Sequence, residues 1–122
     1  MRIYDPLEKI ARILNIDHIV ERGNRNGWDY IKYSSGYVDA WRAVEYVAGK
    51  DTVSLGTPVE MANADYFVQV TPSINGALAS AFWVGNTNGN SARTTTAFSV
   101  SCRRSTDRYS IYFNIYLHGK YK

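Results

Sequence analysis

The fold this sequence predicts is mainly β: an antiparallel β-sandwich or jelly-roll-like domain with a short N-terminal helix. Three observations carry the prediction. Short runs of alternating apolar and polar residues recur along the chain, separated by clusters of glycine, proline and asparagine. The aromatic content, 14% with ten tyrosines, favours pleated, half-buried surfaces. Helical spacing occurs only near the N-terminus, before about residue 17.

That spacing comes first in the chain. Asp5-Pro6-Leu7-Glu8 combines an N-cap acid, a proline suited to the first helical position and a glutamate three residues after the cap, so a helix is predicted from Pro6. Ile3, Leu7, Ile10 and Leu14 form one apolar stripe with Glu8, Lys9 and Arg12 off it. The spacing fits a helix lying on the domain's own core and equally the last turns of a coiled coil. The chain is therefore divided into residues 1–17, the helix, and residues 18–122, the sandwich.

His18 to Glu21 reads as a short strand, and Gly23 to Gly27, with two glycines and two asparagines, as a turn. Trp28 to Trp41 reads as a hairpin that turns on Ser34-Ser35-Gly36, where Gly36 can take positive φ. On its return strand Val38 and Ala40 share one face, and Tyr37, Asp39 and Trp41 share the other. Ala48-Gly49-Lys50-Asp51 ends that strand. Thr52 to Leu55 and Val59 to Met61 are short β pieces around Pro58, and Tyr66 to Val70 is a stronger strand ended by Pro72. Ser80 to Val84 and Thr94 to Cys102 are further strands on either side of the polar loop Asn86 to Arg93. Arg103 to Arg108 is a charged turn, and Tyr109 to His118 is the longest strand. In all, about eight strands are predicted.

Composition excludes several functions. The net charge of +3 comes from 14 basic and 11 acidic residues without a run of five like charges, which argues against nucleic-acid binding. Cys102 is the single cysteine, so no intramolecular disulfide or cysteine-based zinc site is possible, and the chain is compatible with folding in a reducing cytoplasm. No apolar run is long enough to span a bilayer as a helix, and no membrane insertion is expected. His18 and His118 lie a hundred residues apart with no carboxylate at relay spacing. Asp39 and Glu45 share a strand face but are separated by about 20 Å of extended chain. No catalytic residue, metal ligand or cofactor is assigned, and the chain is read as a non-enzyme.

The aromatic residues say more. Around Trp28-Asp29-Tyr30 and from Tyr109 to Tyr116, rings are expected on both strand faces, either as an interface or as a thick sandwich core. Together with the heptad-like stripe, this predicts a homotrimer. For ligand binding, the loop residues Asn86, Asn88, Asn90 and Arg93 offer adaptable donors and acceptors, and Trp83 offers a ring on which a sugar could stack.

The pattern I-V-E-x-G-x-x-x-G-W-x-Y-x-K-Y-x-S-G-x-x-x-x-W at Ile19 to Trp41, with I-Y-x-x-I-x-x-x-G-K-Y-K at Ile111 to Lys122, resembles the C-terminal domains of tailed-phage and prophage fibres and minor structural proteins. Tyr33 stands where that family commonly has tryptophan, and Asn86 to Arg93 has no counterpart there. The resemblance implies a virion protein, a receptor-binding head on a fibre shaft, usually homotrimeric, that contacts the bacterial host surface beside other virion proteins. Residues 1–17 would then be the end of a trimeric coiled-coil shaft. The ligand expected of such a head is a cell-wall or surface polysaccharide. The alternative is a structural virion module that trimerises or caps a fibre and binds no ligand.

Overall fold

The computed structural model describes residues 16–46, 52–85, 93–104 and 109–122. The predicted helix, the Ala48 to Asp51 break, most of the asparagine loop and most of the charged turn lie outside these residues. Within them run eight strands: β1 (Ile19–Arg25), β2 (Trp28–Tyr33), β3 (Tyr37–Tyr46), β4 (Thr52–Gly56), β5 (Phe67–Pro72), β6 (Ala79–Val84), β7 (Ala97–Arg104) and β8 (Ile111–Lys120). They form a five-stranded sheet in the order β1-β2-β3-β8-β5 and a three-stranded sheet in the order β4-β7-β6, with antiparallel pairing throughout. The two sheets pack as the predicted sandwich.

The hairpins follow from turn chemistry. β1 and β2 join through Asn26-Gly27, both at positive φ (55° and 83°), the conformation that matches the twist of a two-residue hairpin. This corrects the sequence reading, which placed a turn over Gly23 to Gly27. The ladder instead continues through Gly23↔Tyr30, Asn24↔Asp29 and Arg25↔Trp28, leaving only two residues to turn. The β2–β3 connection turns at Ser34-Ser35-Gly36 as predicted, with Gly36 at φ +94°. Asp17 ties this turn down, accepting from the Ser35 amide at 2.9 Å, the Ser35 hydroxyl at 2.9 Å and the Ser34 hydroxyl at 3.1 Å.

Val59 to Met61 is a second correction. Pro58 cannot donate to a ladder, and the segment is a buried connection instead of a strand. Its amides bond outward: Thr57 N–H donates to Thr96 O at 2.9 Å and Met61 N–H to Thr95 O at 2.7 Å.

The core lies between the sheets. Trp28, Val38, Val44, Tyr46, Ile111, Phe113, Ile115 and Leu117 from the large sheet face Leu55, Phe98, Val100 and Cys102 from the small one. Trp28 and Tyr30 are both buried on this inner face, while Tyr33 at the end of β2 has the opposite parity, and β8 carries rings on both faces. Three buried rings end in a polar atom that bonds across the sandwich. The Trp28 indole N–H donates to Gly56 O at 2.7 Å. The Tyr46 hydroxyl donates to Val100 O. The Tyr66 hydroxyl, just ahead of β5, reaches Thr94 O at 2.9 Å and Ala97 O at 3.0 Å.

The C-terminal G-K-Y-K stretch packs against the β2–β3 hairpin. A Cβ on Gly119 would stand 2.5 Å from Tyr66 Cβ and 2.8 Å from Met61 Cε, so no larger residue fits there without movement. Tyr121 N–H donates to Gly36 O at 2.9 Å and its hydroxyl to Tyr33 O at 2.8 Å. The two motifs that carry the fibre resemblance are thus one packed unit.

Trp28 is fully buried while Trp41 is 43% exposed on the opposite face. Trp28→Ala is expected to lower unfolding free energy by about 3–5 kcal/mol, through cavity formation and the orphaned Gly56 carbonyl. Trp41→Ala is expected to cost under about 1 kcal/mol. Urea denaturation of both variants checks the contrast; equal losses would contradict the assignment of faces.

Candidate functional site

The period of two that buries one face of β3, β8 and β5 presents the alternate residues on the other. Their register aligns them in rows across the sheet. Asp29 of β2 stands opposite Trp41, Trp41 opposite Tyr116, and Tyr116 opposite Gln69. The next row toward the β2–β3 turn is Ile31, Asp39, His118 and Phe67, and the row on the other side is Ala43, Asn114 and Thr71.

The rings of this outer face touch one another. Trp41 and Tyr116 have centroids 5.8 Å apart, and Phe67, 54% exposed, meets Tyr116 edge-on at 6.3 Å. The Tyr37 ring stacks on the His118 imidazole at 5.2 Å. Asp39 orders the group: its Oδ1 accepts the Tyr116 hydroxyl at 2.7 Å and His118 Nδ1 at 2.6 Å, and Tyr33 lines the same depression as Asp39 and His118. Because an ionised carboxylate only accepts, Nδ1 carries the proton. Burial works against ionising Asp39, but the bonds from His118 and Tyr116 outweigh it and hold the carboxyl below its ordinary value. The Tyr116 hydroxyl is pushed up to about 12, first by burial and then by its bond to Asp39 and the charge there.

Two shallow depressions flank this network. One, of about 430 Å³, is lined by Asp29, Trp41, Arg42, Ala43, Gln69, Thr71, Asn114, Ile115 and Tyr116. The other, of about 490 Å³, is lined by Asp17, Tyr33, Ser35, Tyr37, Asp39 and His118. The small Ala43 side chain leaves the first one open between two rows of larger residues. Its charged cation is engaged elsewhere: Arg42 Nη1 donates to Asn26 O at 2.8 Å, and the guanidinium lies 5.7 Å from the centre of the Trp28 ring.

An Asp–His pair invites comparison with a hydrolytic relay, but a nucleophile aligned with it is missing among the described residues. The nearby Ser35 hydroxyl donates to Asp17 Oδ2 at 2.9 Å. Nor do three or more histidine, cysteine or acidic side chains gather to hold a metal among the described residues. The face presents flat rings held in place beside amide and hydroxyl groups that make no side-chain hydrogen bond among the described residues.

Of the residues singled out in the sequence, Trp83 and Arg93 lie elsewhere. Trp83 is half-buried on β6, opposite Ser101 in the small sheet. The Arg93 guanidinium donates to Tyr66 O and lies 5.7 Å from the Tyr66 ring centre, an internal anchor at the end of the asparagine loop. Asn86, Asn88 and Asn90 fall outside the described residues. Sequence reasoning missed the Asp39–His118–Tyr116 set because its members meet only through the β3–β8 register. The signal it did catch was the outward parity of Tyr37, Asp39 and Trp41 and the two-faced aromatic strand ending at His118.

No protein-family model and no curated protein matches the sequence. Among solved structures, the chain is similar to a C-terminal portion of the R2 pyocin fibre of P. aeruginosa and to an N-truncated R2-type pyocin tail fibre. Each has TM-score 0.48 and 10% identity over 96% of this chain. The chain spans 30% and 44% of their respective lengths.

The Asp39 network makes a pH prediction. A carboxyl whose folded value is depressed contributes stability that is complete above its unfolded value, near 3.8, and is lost as pH falls through the lower folded value. Wild type should therefore lose unfolding free energy below about pH 4, and Asp39→Asn should be less stable at neutral pH while losing less on acidification. Denaturant midpoints measured from pH 7 to pH 2 test this; parallel pH curves for the two proteins would contradict it.

Proposed function

We propose that this chain is the head domain of a phage-type tail fibre or minor structural protein, a virion component that attaches the particle to its bacterial host by binding a surface polysaccharide. The observation that carries the reading is the open outer face of the five-stranded sheet. Trp41, Tyr116 and Phe67 form a ring platform on rigid strands, with Gln69, Thr71 and Asn114 exposed beside it. Rings supply apolar area at low entropy cost, and amides supply paired donors and acceptors. The motifs at Ile19 to Trp41 and Ile111 to Lys122 support the fibre context. The reading is of a binding module, without catalysis and without a cofactor.

A homotrimer, seated among other virion proteins, belongs to the same proposal. Three copies would raise apparent affinity through effective concentration. The second reading, a structural module that caps or trimerises a fibre without a ligand, draws on the edge strand β1. Ile16, Ile19 and Val20 are exposed there and would be covered by packing against another copy.

Adsorption to purified host-surface polysaccharide tests the first reading. Trp41→Ala should weaken it about three- to tenfold per site, the scale of one lost aromatic contact, at unchanged melting temperature. Undiminished adsorption by the folded variant, or none by wild type, would overturn it. Light scattering should give about three times the chain mass; a monomer at micromolar concentration would remove the trimer.

A further inference from the structure

The outer-face depression beside Trp41 also speaks to the chemistry of its ligand, given the polysaccharide reading above. We infer that it takes a neutral, hydroxyl-rich pyranose unit, and that phosphorylated or carboxylated polymers are disfavoured there.

The first part of the argument is which polar groups are already used. On this face Asp39, Tyr116 and His118 bond to one another, and Asp17 is occupied by Ser34 and Ser35. Gln69, Thr71 and Asn114 are exposed and make no side-chain hydrogen bond among the described residues. Two amides and a hydroxyl offer both donors and acceptors, the complement of vicinal hydroxyls that each donate and accept. They stand on adjacent strands in consecutive rows, so a ring lying across β8 and β5 meets all three while its C–H face rests on Trp41 or Tyr116.

The second part is charge. The charged groups lining the depression are Asp29 and Arg42. Arg42 has inward parity on β3; its guanidinium is bonded to Asn26 O, rests on Trp28, and has its pKa lowered by burial. Asp29, whose Oδ1 accepts from Asn24 Nδ2 at 3.0 Å, leaves a carboxylate at the rim. The next row adds Asp39. Lys120, the nearest outward-facing lysine on β8, stands two rows beyond Tyr116 and lies 5.6 Å from the Tyr37 ring centre. The outward-facing Arg22 stands at the β1 end of the Asp39 row, two strands from Trp41, and Arg42, whose Nε is buried without a partner among the described residues, is turned inward. A phosphate or uronate in the depression would therefore meet the Asp29 carboxylate at its rim, whereas a neutral sugar incurs no such repulsion.

The test is calorimetric titration of the intact chain with neutral gluco-, galacto- and N-acetylglucosamine oligosaccharides, and with phosphorylated and uronic-acid polymers, at low and high salt. The expected result is binding of a neutral probe with little salt dependence. The double variant Gln69→Ala/Asn114→Ala should lose about tenfold or more in affinity while circular dichroism and scattering mass stay unchanged. Asp29→Asn should reduce the discrimination against anionic probes. A salt-sensitive preference for anionic polymers would overturn the inference and leave the polysaccharide reading standing. So would neutral binding that survives the double variant but is lost on Asn88→Ala/Asn90→Ala. A change of scattering mass in the double variant would assign the face to a second copy of the chain and overturn it as well. No binding of any probe would overturn both this inference and the polysaccharide reading.

Discussion

The sandwich depends on one recurring interaction: a buried aromatic ring in the five-stranded sheet, or just ahead of its strand β5, whose polar tip donates to a backbone carbonyl of the three-stranded sheet or the segment leading into it. Trp28 does this to Gly56, Tyr46 to Val100, and Tyr66 to Ala97 and Thr94. The rings supply the apolar area that drives the sheets together, and a buried indole N–H or phenol without a partner would cost about 1–3 kcal/mol. Such bonds therefore fix how one sheet sits on the other as well as holding them close. The close approach at Gly119, where Tyr66 and Met61 lie against bare backbone, follows from the same arrangement. So does the docking of the C-terminal Tyr121 onto the turn at Gly36.

Strand parity turns this constraint into a division of roles. Once Val38, Ala40, Val44 and Tyr46 are committed inward, Asp39, Trp41 and Ala43 must face out, and β8 repeats the logic with Asn114, Tyr116 and His118. The outer rings would be a liability if they were loose. Asp39 prevents that by accepting from Tyr116 and His118, which holds this tyrosine and the histidine in one arrangement before any ligand arrives. Gln69, Thr71 and Asn114 are left over, and their position beside Trp41 is the physical basis for proposing a sugar there.

Much of the fold was legible from local chemistry. The Ser34-Ser35-Gly36 turn, the alternation from Tyr37 to Tyr46 and the long final strand are each specified by adjacent residues. Asn26-Gly27 was visible as a turn, but its tightness was not, because the neighbouring Gly23 and Asn24 read as loop until their ladder partners Tyr30 and Asp29 are known. Val59 to Met61 looks like a strand by composition and is buried for its side chains alone. The site was half legible: outward rings could be read from parity, whereas His118 finding Asp39 requires the β3–β8 register, a pairing between residues far apart in sequence. The asparagine loop attracted attention by composition, while the sheet face did not, since its amides are scattered over β5 and β8.

The central claim is that one face of the large sheet is consumed by the sandwich and the other is kept for a host polymer. Side-chain NMR on the intact chain tests it most directly, by following the three tryptophan indole N–H signals and the Gln69 and Asn114 amide groups during titration with host-surface oligosaccharide. The account predicts shifts at Trp41, Gln69 and Asn114, with the Trp28 indole unmoved. Shifts confined to Trp83 and the segment around Asn86 to Arg93, or no shifts on the sheet at saturating oligosaccharide, would contradict it.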